Sequence, residues 1–364
     1  MEFYEETMNK KFIYAAIFVS LFCFVSFGQT PKKSPTPTAS PKPFEAPKVI
    51  ITNGDVNLPN ASDSTVLPKP ILTIETILPE AEKQAINYQQ TFLNLLGEET
   101  KTFEDFDRNG QPKNSRVIVS NFIVYQSAKD ENIITEYRNI TKVDGKSVSN
   151  TDKRIQDFFE ELGKSASIEQ ELERIQKESS RYDKNLDISG FTLLQAPTLS
   201  ENIRPAFDFR LEGHDTIEGN DVFVISYQQK TKSPYIFFNV EKPASDKLFI
   251  NYNYDLPNSL KDSANPLMNG KLWIDAQTFQ VRREERRLTI QTAELKNPVT
   301  VIENEFEYQK SDLGILTPKR ITLTDYAVKN KKKEISAVKN SKATFEYKNF
   351  SKADVEVKSG DVKN

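Results

Sequence analysis

Hydrophobic and polar residues alternate with a period of two along much of the chain after residue 190, as in strands that bury one face. Short runs of this kind follow one another with brief turns between them. They predict strands at 206–212, 221–228, 235–240, 272–275, 280–289, 301–309, 321–326 and 343–347. Successive strands joined by short turns predict one large antiparallel sheet.

A helix and three further strands are predicted ahead of this series. Apolar residues recur every three or four positions after Pro79, and proline is favoured at the first position of a helix. We predict that this helix starts at Pro79 and is terminated by Gly97. A hairpin of residues 100–107 and 115–125 should follow, and then a strand at 133–141.

A helical insertion is predicted at about residues 150–185. Its first helix, at 151–162, has one apolar face and is followed by Gly163 as a stop signal. Ser167 and Gln170 have the spacing of a capping box that opens a second helix. The apolar stripe of this second helix is narrow, so we expect it to lie on the surface of the sheet.

Two strands indicate how the sheet presents charge. In 301–309, a mostly apolar face alternates with an acidic face that includes Glu303 and Glu305. Strand 280–289 contains four arginines, and those on its outer face would lie opposite the glutamates if the two strands pair. The outer face is then either a solvated surface that discourages aggregation or a docking surface for a partner protein, with Arg282, Arg286, Glu303 and Glu305 as its residues.

The N-terminus has the pattern of a secretory signal peptide at residues 1–28. Lys10 and Lys11 precede an apolar run at 12–27, which is short for a membrane span. Small residues at Ser26 and Gly28 predict cleavage between Gly28 and Gln29. Lipidation at Cys23 and retention of the run as an uncleaved anchor are the alternatives.

A Pro-, Ser- and Thr-rich segment follows, and we predict a flexible linker at 29–78 because such a composition cannot bury a core. One globular domain should span 79–355, with a disordered tail at 356–364. We expect the protein to be periplasmic or extracellular, or membrane-anchored if the N-terminal segment is kept. No integral membrane domain is expected after cleavage.

Composition excludes several kinds of chemistry. The formal net charge of the 364 residues is −3 and the basic residues are dispersed, which argues against nucleic-acid binding. Cys23 is the only cysteine, so the chain after the cleavage site has none for disulfides, thiol catalysis or zinc. We predict no cofactor and no metal.

His214 is the only histidine, and with Asp215 it raises the alternative of a hydrolase. The pair lies in a polar stretch between Gly213 and Gly219 that is typical of a hairpin turn, and the chain has no Gly-x-Ser-x-Gly motif. We therefore predict a solvent-exposed turn histidine and no catalytic residue.

Trp273 is the only tryptophan and lies in a predicted strand, on the side opposite to Leu272 and Ile274. It either packs in the core or lines a ligand cavity. The other aromatic residues that we predict for such a cavity are Phe207, Phe209, Phe306 and Tyr308.

Residues 270–275, GKLWID, and 278–283, TFQVRR, resemble a strand-turn-strand of periplasmic lipoprotein-carrier-like proteins. This is the LolA/LolB-like group, which includes the sensor domain of RseB-type regulators. The resemblance implies an α+β fold with a curved antiparallel sheet, half of a β-barrel. An N-terminal helix and the helical insertion would cover its concave face, which in that group holds acyl chains or serves as a sensor surface.

These observations together predict an exported, non-enzymatic binding protein of the cell envelope. Its partner would be a lipid or other apolar ligand, or another envelope protein. An envelope protein with a filled core that acts in structure or interaction is the alternative, and an unrecognised hydrolase is the third.

Overall fold

The computed structural model describes residues 19–20, 72–92, 95–127, 134–149, 151–183, 188–189, 192–240, 247–292, 297–331 and 334–352. The chain divides into two units, and the unit of residues 27–73 includes only Leu72 and Thr73 among the described residues. The cleavage site at Gly28 and Gln29, Cys23 and the predicted tail lie outside the described residues. So does the predicted signal peptide, except for Val19 and Ser20.

The described strands are β1 (Val19–Ser20), β2 (Leu95–Phe106), β3 (Pro112–Gln126), β4 (Ile134–Val143), β5 (Lys146–Ser147), β6 (Ile188–Ser189), β7 (Phe207–Ile217), β8 (Asn220–Gln229), β9 (Ile236–Phe238), β10 (Ile250–Tyr252), β11 (Asn265–Asp275), β12 (Val281–Gln291), β13 (Val299–Lys310), β14 (Leu316–Lys331) and β15 (Glu334–Lys352). The helices are α1 (Ile74–Thr91), α2 (Thr151–Gly163), α3 (Ile168–Ser179) and α4 (Asn258–Lys261). Short 3-10 turns lie at Pro197–Leu199 and Arg204–Ala206.

Eleven strands form one antiparallel sheet in the order β5-β4-β3-β2-β15-β14-β13-β12-β11-β8-β7. The sheet does not close, because β5 and β7 remain at its two edges. Strands β9 and β10 pair in parallel outside this sheet, as do β1 and β6. The large sheet with a few helices confirms the predicted α+β half-barrel.

Helix α1 starts five residues earlier than predicted and ends at Thr91, whereas Gly97, predicted to terminate it, lies in β2. Ile74, Ile77, Leu78 and Ala81 continue the apolar stripe toward the N-terminus, and the last three are buried. Pro79 therefore lies inside the helix, and the predicted linker boundary at residue 78 is corrected to residue 73. The helix tolerates the proline there because only one main-chain hydrogen bond is lost near its N-terminus.

Helix α1 packs on one face of the large sheet, which we call the inner face. Tyr88 and Phe92 contact the rings of Tyr308 and Phe122, with centroid distances of 5.5 and 6.5 Å. These residues belong to the main hydrophobic core, together with side chains from β2, β3, β4, β13, β14 and β15. The core of the protein therefore lies between α1 and the inner face.

The helical insertion forms as predicted but packs on the opposite, outer face. Tyr137 of β4 stacks on Phe158 of α2 at 5.1 Å, and Leu162 and Ile175 complete this smaller cluster. Tyr137 points outward because its neighbours in β4 take the inner positions. The Ser167 hydroxyl accepts the Gln170 amide at 3.3 Å and caps α3 as predicted. The concave face is therefore covered by α1 and not by the insertion.

Two segments outside the large sheet complete the cover of the inner face. One is residues 192–206, which contributes Leu193 to the main core. The other is residues 247–262, whose Tyr252 is buried beside Arg286 and Asn304. No helix in the described part of the chain is long and apolar enough to cross a membrane.

Candidate functional site

Four of the five aromatic residues predicted to line a cavity lie on the inner face. Phe207, Phe306 and Tyr308 are buried there, and Phe209 is half-buried near the β7 edge. Phe207 and Phe209 contact the ring of Tyr227 at 5.6 and 6.0 Å. The structure thus brings this set to one face, although α1 and the cover segments already lie over it.

Trp273 lies on the outer face and does not join this set. Leu272 and Ile274 take the inner positions of β11, so strand alternation turns the indole outward. The guanidinium of Arg283 lies 4.7 Å from the ring centroid and covers the indole. The prediction that Trp273 lines an inner cavity is therefore wrong, and the indole packs beneath an arginine on the outer face.

The predicted partner surface does not form one face. Arg282 and Arg286 are only 7 and 6% exposed, and Arg286 points inward, whereas Glu303 and Glu305 lie on the outer face. Leu288 shares the inward side of β12 with Arg286, whereas Arg282 lies at an irregularity in the pairing of β11 with β12 and donates to Asp275 at 2.9 Å. Placing Arg286 on the outer face was wrong, and Arg282 is buried and not exposed to a partner.

The outer face instead carries a ladder of charges formed by the other residues of β12. Arg287 donates to Glu303 at 2.7 Å and to Glu285 at 3.0 Å, and Arg283 donates to Glu285 at 2.7 Å. Tyr326 donates to Glu303 at 3.0 Å. The predicted pairing of an arginine of β12 with a glutamate of the next strand is thus present at Arg287 and Glu303, and not at Arg282 or Arg286.

A first cluster of buried ions lies on the inner face of β2 and β4. The Arg138 Nε donates to both carboxylate oxygens of Glu99, at 2.8 and 2.9 Å, and its Nη2 lies 2.9 Å from Glu136. Lys101 donates to Asp183 at 2.6 Å. All five side chains are almost fully buried. Three carboxylates thus face two cations beneath the cover.

Burial and charge act in opposite directions in this cluster. Burial would raise the pKa of Glu99, but Arg138 and Lys101 lower it below its ordinary value. Burial opposes the protonated form of Arg138, yet Glu99 and Glu136 raise its pKa well above the ordinary value. For Asp183 burial prevails over the attraction of Lys101, and its pKa is raised. Arg138 also lies over the ring of Phe122 at 5.3 Å.

A second buried cluster lies on the inner face of β12. The Arg286 Nε donates to Glu284 Oε1 at 2.9 Å, and its guanidinium lies 4.9 Å from the ring centroid of Phe306. Tyr227 and Tyr252 lie beside this pair, and burial raises the pKa of both phenols. Burial lowers the pKa of Arg286, but Glu284 outweighs it and raises the pKa overall.

Gly270 of the GKLWID motif provides room for this second cluster. A Cβ at this position would lie 2.0 Å from the Glu285 carbonyl oxygen and 2.5 Å from the Tyr227 hydroxyl. The Tyr227 hydroxyl occupies that space and donates to the same carbonyl at 3.1 Å. The glycine is therefore required by the close approach of the tyrosine ring.

The cover segment of residues 192–206 binds both clusters. The Thr192 amide donates to Glu136 Oε1 at 2.8 Å, and the Thr192 hydroxyl contacts the same oxygen. Four residues later, the Ala196 amide donates to Glu284 Oε2 at 3.1 Å. Tyr88 of α1 donates to the Thr192 carbonyl at 2.9 Å, which ties the helix to the segment.

This bridge requires a curved sheet. Strands β4 and β12 are six positions apart, which is about 29 Å along a flat sheet. Four extended residues span at most about 14 Å, and strand side chains stand roughly perpendicular to the sheet. A flat sheet would hold Glu136 and Glu284 too far apart, so the inner face is concave between them.

The ions of the inner face were not predicted. Their signal is a pair of opposite charges at positions i and i+2 of a strand, as in Glu136 with Arg138 and Glu284 with Arg286. Residues two apart share one face of a strand, and Ile140 or Leu288 on the same parity marks that face as buried. Charged residues at such positions are rare inside proteins unless paired.

His214 is exposed as predicted, but it lies within β7, opposite Phe223 of β8, and not in the turn between the two strands. Its Nδ1 contacts Asp221 at 3.1 Å and its ring lies 5.0 Å from that of Phe223. Among the described residues, no group of three or more His, Cys, Asp or Glu side chains is arranged to hold a metal ion.

The comparisons with known proteins are remote. No protein-family model matches the sequence, and no curated protein matches it. Similar solved structures include a DUF1329 family protein from Desulfovibrio piger, with 12% identity, 78% of this chain and 94% of that chain covered, and a TM-score of 0.29. A LolA superfamily protein from Nitrosomonas europaea has 10% identity, coverage of 78 and 96%, and a TM-score of 0.29. Lipoprotein LppX from Mycobacterium tuberculosis has 8% identity, coverage of 78 and 100%, and a TM-score of 0.22.

A LolA superfamily protein is therefore among the solved structures similar to this chain, in agreement with the resemblance of residues 270–283. At these identities and TM-scores, the likeness carries no function across. We draw the function below from the residues of this chain.

Proposed function

We propose that this protein is an exported, non-enzymatic binding protein of the cell envelope. Its ligand is a lipid or acyl chain, or an apolar segment of a partner protein, held on the inner face of the half-barrel. The supporting observation is that the aromatic inner face is covered by α1 and by segments outside the large sheet. Such a cover can move without breaking a strand ladder, so the face can open while the sheet persists.

Ligand extraction and binding test this proposal. The protein purified from the envelope of an expressing host should release a lipid or peptide on denaturation, detected by mass spectrometry. It should also bind a fluorescent fatty acid or an apolar peptide at one site, with faster hydrogen exchange in residues 192–206 because the cover is displaced. Absence of any bound molecule, together with unchanged exchange in 192–206 for every probe, would contradict it.

Export is supported by the apolar run at 12–27 and the small residues before Gln29. N-terminal sequencing of the protein from an envelope fraction should give Gln29 as the first residue. A chain that starts at Met1 or Met8 and sediments with membranes would show instead that the run is kept as an anchor.

An interaction protein with a filled core is the second candidate function, favoured by the ladder of charges on the outer face. Charge reversal by Arg283→Glu and Arg287→Glu should then abolish binding of a protein partner while the fold is kept. Arg282 and Arg286 are unsuitable for this test because both are buried.

A further inference from the structure

The two buried clusters repeat one local pattern, which we call the Glu-x-Arg pair. Glu136 and Arg138 form the first pair in β4, and Glu284 and Arg286 form the second in β12. In both, the guanidinium lies over a phenylalanine ring of the neighbouring strand. The arginine neutralises the carboxylate from one side, which leaves the second carboxylate oxygen or lone pair directed toward the cover.

Through this oxygen, each glutamate accepts a hydrogen bond from a main-chain amide. The two amides, of Thr192 and Ala196, belong to one segment and lie four residues apart. Leu193 and Leu194 lie between them and are buried, and Leu193 packs in the main core. Residues 192–199, which end in the 3-10 turn at Pro197–Leu199, are therefore held in the half-barrel by their backbone at two points and by an apolar pair between them.

This segment has features of a bound ligand more than of a core element. It pairs with no strand of the large sheet. Ala196 has φ 42°, in the left-handed region that is unfavourable for a residue with a Cβ. The buried hydroxyl of Thr198 has no hydrogen-bond partner among the described residues. Such strain and unmet hydrogen bonding lower the free energy needed to release the segment.

We propose that the two Glu-x-Arg pairs form a peptide-binding site that residues 192–199 occupy in cis. In trans, the site takes a polypeptide segment of the same chemistry, an apolar pair flanked by backbone N–H groups four residues apart. This inference rests on the proposed function and names its ligand class. The carboxylate of a fatty acid has only hydrogen-bond acceptors and a negative charge. Glu136 and Glu284 would repel it and would receive no hydrogen bond from it.

A labelled octapeptide with the sequence of residues 192–199, TLLQAPTL, tests the proposal by fluorescence anisotropy. The cis segment competes at high effective concentration, so the wild-type protein should bind the peptide weakly. Leu194→Ala weakens the cis segment and should tighten peptide binding at least tenfold. Adding Glu284→Gln should reverse that gain at least tenfold, because one of the two oxygens that accept from Arg286 and from the amide becomes an NH2 donor, which faces another N–H donor.

Glu285→Gln is the matched control, since Glu285 is the next residue of β12 and faces outward. In the Leu194→Ala protein this control should leave peptide affinity unchanged. Hydrogen exchange in β12 and β13 verifies that each variant is folded. In the otherwise wild-type protein, Glu284→Gln should also speed exchange of the Ala196 amide at least tenfold, while Glu285→Gln should not.

The outcomes separate this inference from the proposed function. Binding of a fluorescent fatty acid without binding of the octapeptide would overturn the peptide site and leave an inner-face binding protein. Equal effects of Glu284→Gln and Glu285→Gln would overturn the role of the Glu-x-Arg pairs. If neither probe binds the folded Leu194→Ala protein, both this inference and the proposed function are overturned.

Discussion

The two faces of β12 carry the same chemistry in different surroundings. On the inner face, Arg286 and Glu284 are 2.8 Å apart, with side chains 7 and 0% exposed. On the outer face, Arg287 and Glu285 are 3.0 Å apart, with side chains 33 and 13% exposed. The residues are immediate neighbours, so residue type and spacing cannot account for the different energetic roles that we expect for the two pairs.

Burial decides the difference. A buried ion that loses its partner keeps the full cost of desolvation, whereas a half-exposed ion regains water. Replacing one residue of the inner pair should therefore be strongly destabilising, although the pair as a whole contributes little net stability. Its retention in the core agrees with a role in holding the cover segment of residues 192–206.

The largest contrast is expected between Arg286→Met and Arg287→Met. The first leaves Glu284 buried without its cation and should lower the free energy of unfolding by about 3–5 kcal/mol. The second should lower it by about 1 kcal/mol or less, because Glu303 and Glu285 can be hydrated. Urea unfolding measures both values. Losses of equal size would show that the two faces do not differ as described.

Gly270→Ala should have the next largest effect, since the new methyl group meets the Glu285 carbonyl and the Tyr227 ring. Overpacking of this kind costs about 1–3 kcal/mol. Gly163→Ala is the control, because a Cβ there meets nothing within 4 Å. Thermal unfolding of both variants checks the expectation, and a neutral Gly270→Ala would refute the close packing of the inner face at this point.

Tyr88→Phe should lower stability by about 1–2 kcal/mol, because the buried Thr192 carbonyl loses its donor. Tyr326→Phe removes an outer-face hydroxyl bound to Glu303 and should cost about 0.5 kcal/mol. The inner variant should also speed hydrogen exchange at Thr192, whereas the outer one should not. A larger loss for the outer variant would reverse the expected order.

The smallest effect concerns pH. Burial, aided by Asp255, raises the pKa of inner-face Asp325 above its ordinary value of 3.8. A raised folded pKa means that its contribution is present below the unfolded pKa and is lost as pH rises through the folded pKa. Asp325→Asn keeps an acceptor for Asn340 and removes this loss. The Tm advantage of the variant should be absent near pH 3 and reach about 1–3 °C at neutral pH.

Glu99 should behave with the opposite sign. Its pKa is lowered, so its contribution is present above the unfolded pKa and is lost as pH falls through the folded pKa. If the Tm difference between Asp325→Asn and wild type grew toward acid and not toward neutral pH, the assignment for Asp325 would be incorrect.

The sheet could be predicted from alternation alone where one side of a strand is apolar, as in β13. Strands β14 and β15 extend well beyond the predicted 321–326 and 343–347, because the Lys- and Asn-rich stretch between them carries little apolar pattern. In β12 both sides are charged, and only Leu288 and Ile290 at its end reveal which side is buried.

The arrangement of the cover could not be predicted locally. Tyr137 and Arg138 are both buried, on opposite faces of β4, and no periodicity within one strand tells which helix lies on which face. The bridge from Glu136 to Glu284 joins residues 148 positions apart through a third segment. Such contacts depend on the curvature of the whole sheet.

Ligands should bind the inner face in place of residues 192–199. Hydrogen exchange of this segment in the folded protein, with and without saturating octapeptide or fluorescent fatty acid, tests it most directly. The Thr192 and Ala196 amides should exchange faster with the bound probe, while the ladder of β12 and β13 stays protected. A bound probe that leaves both amides unchanged, or alters protection only on the outer face, would contradict it.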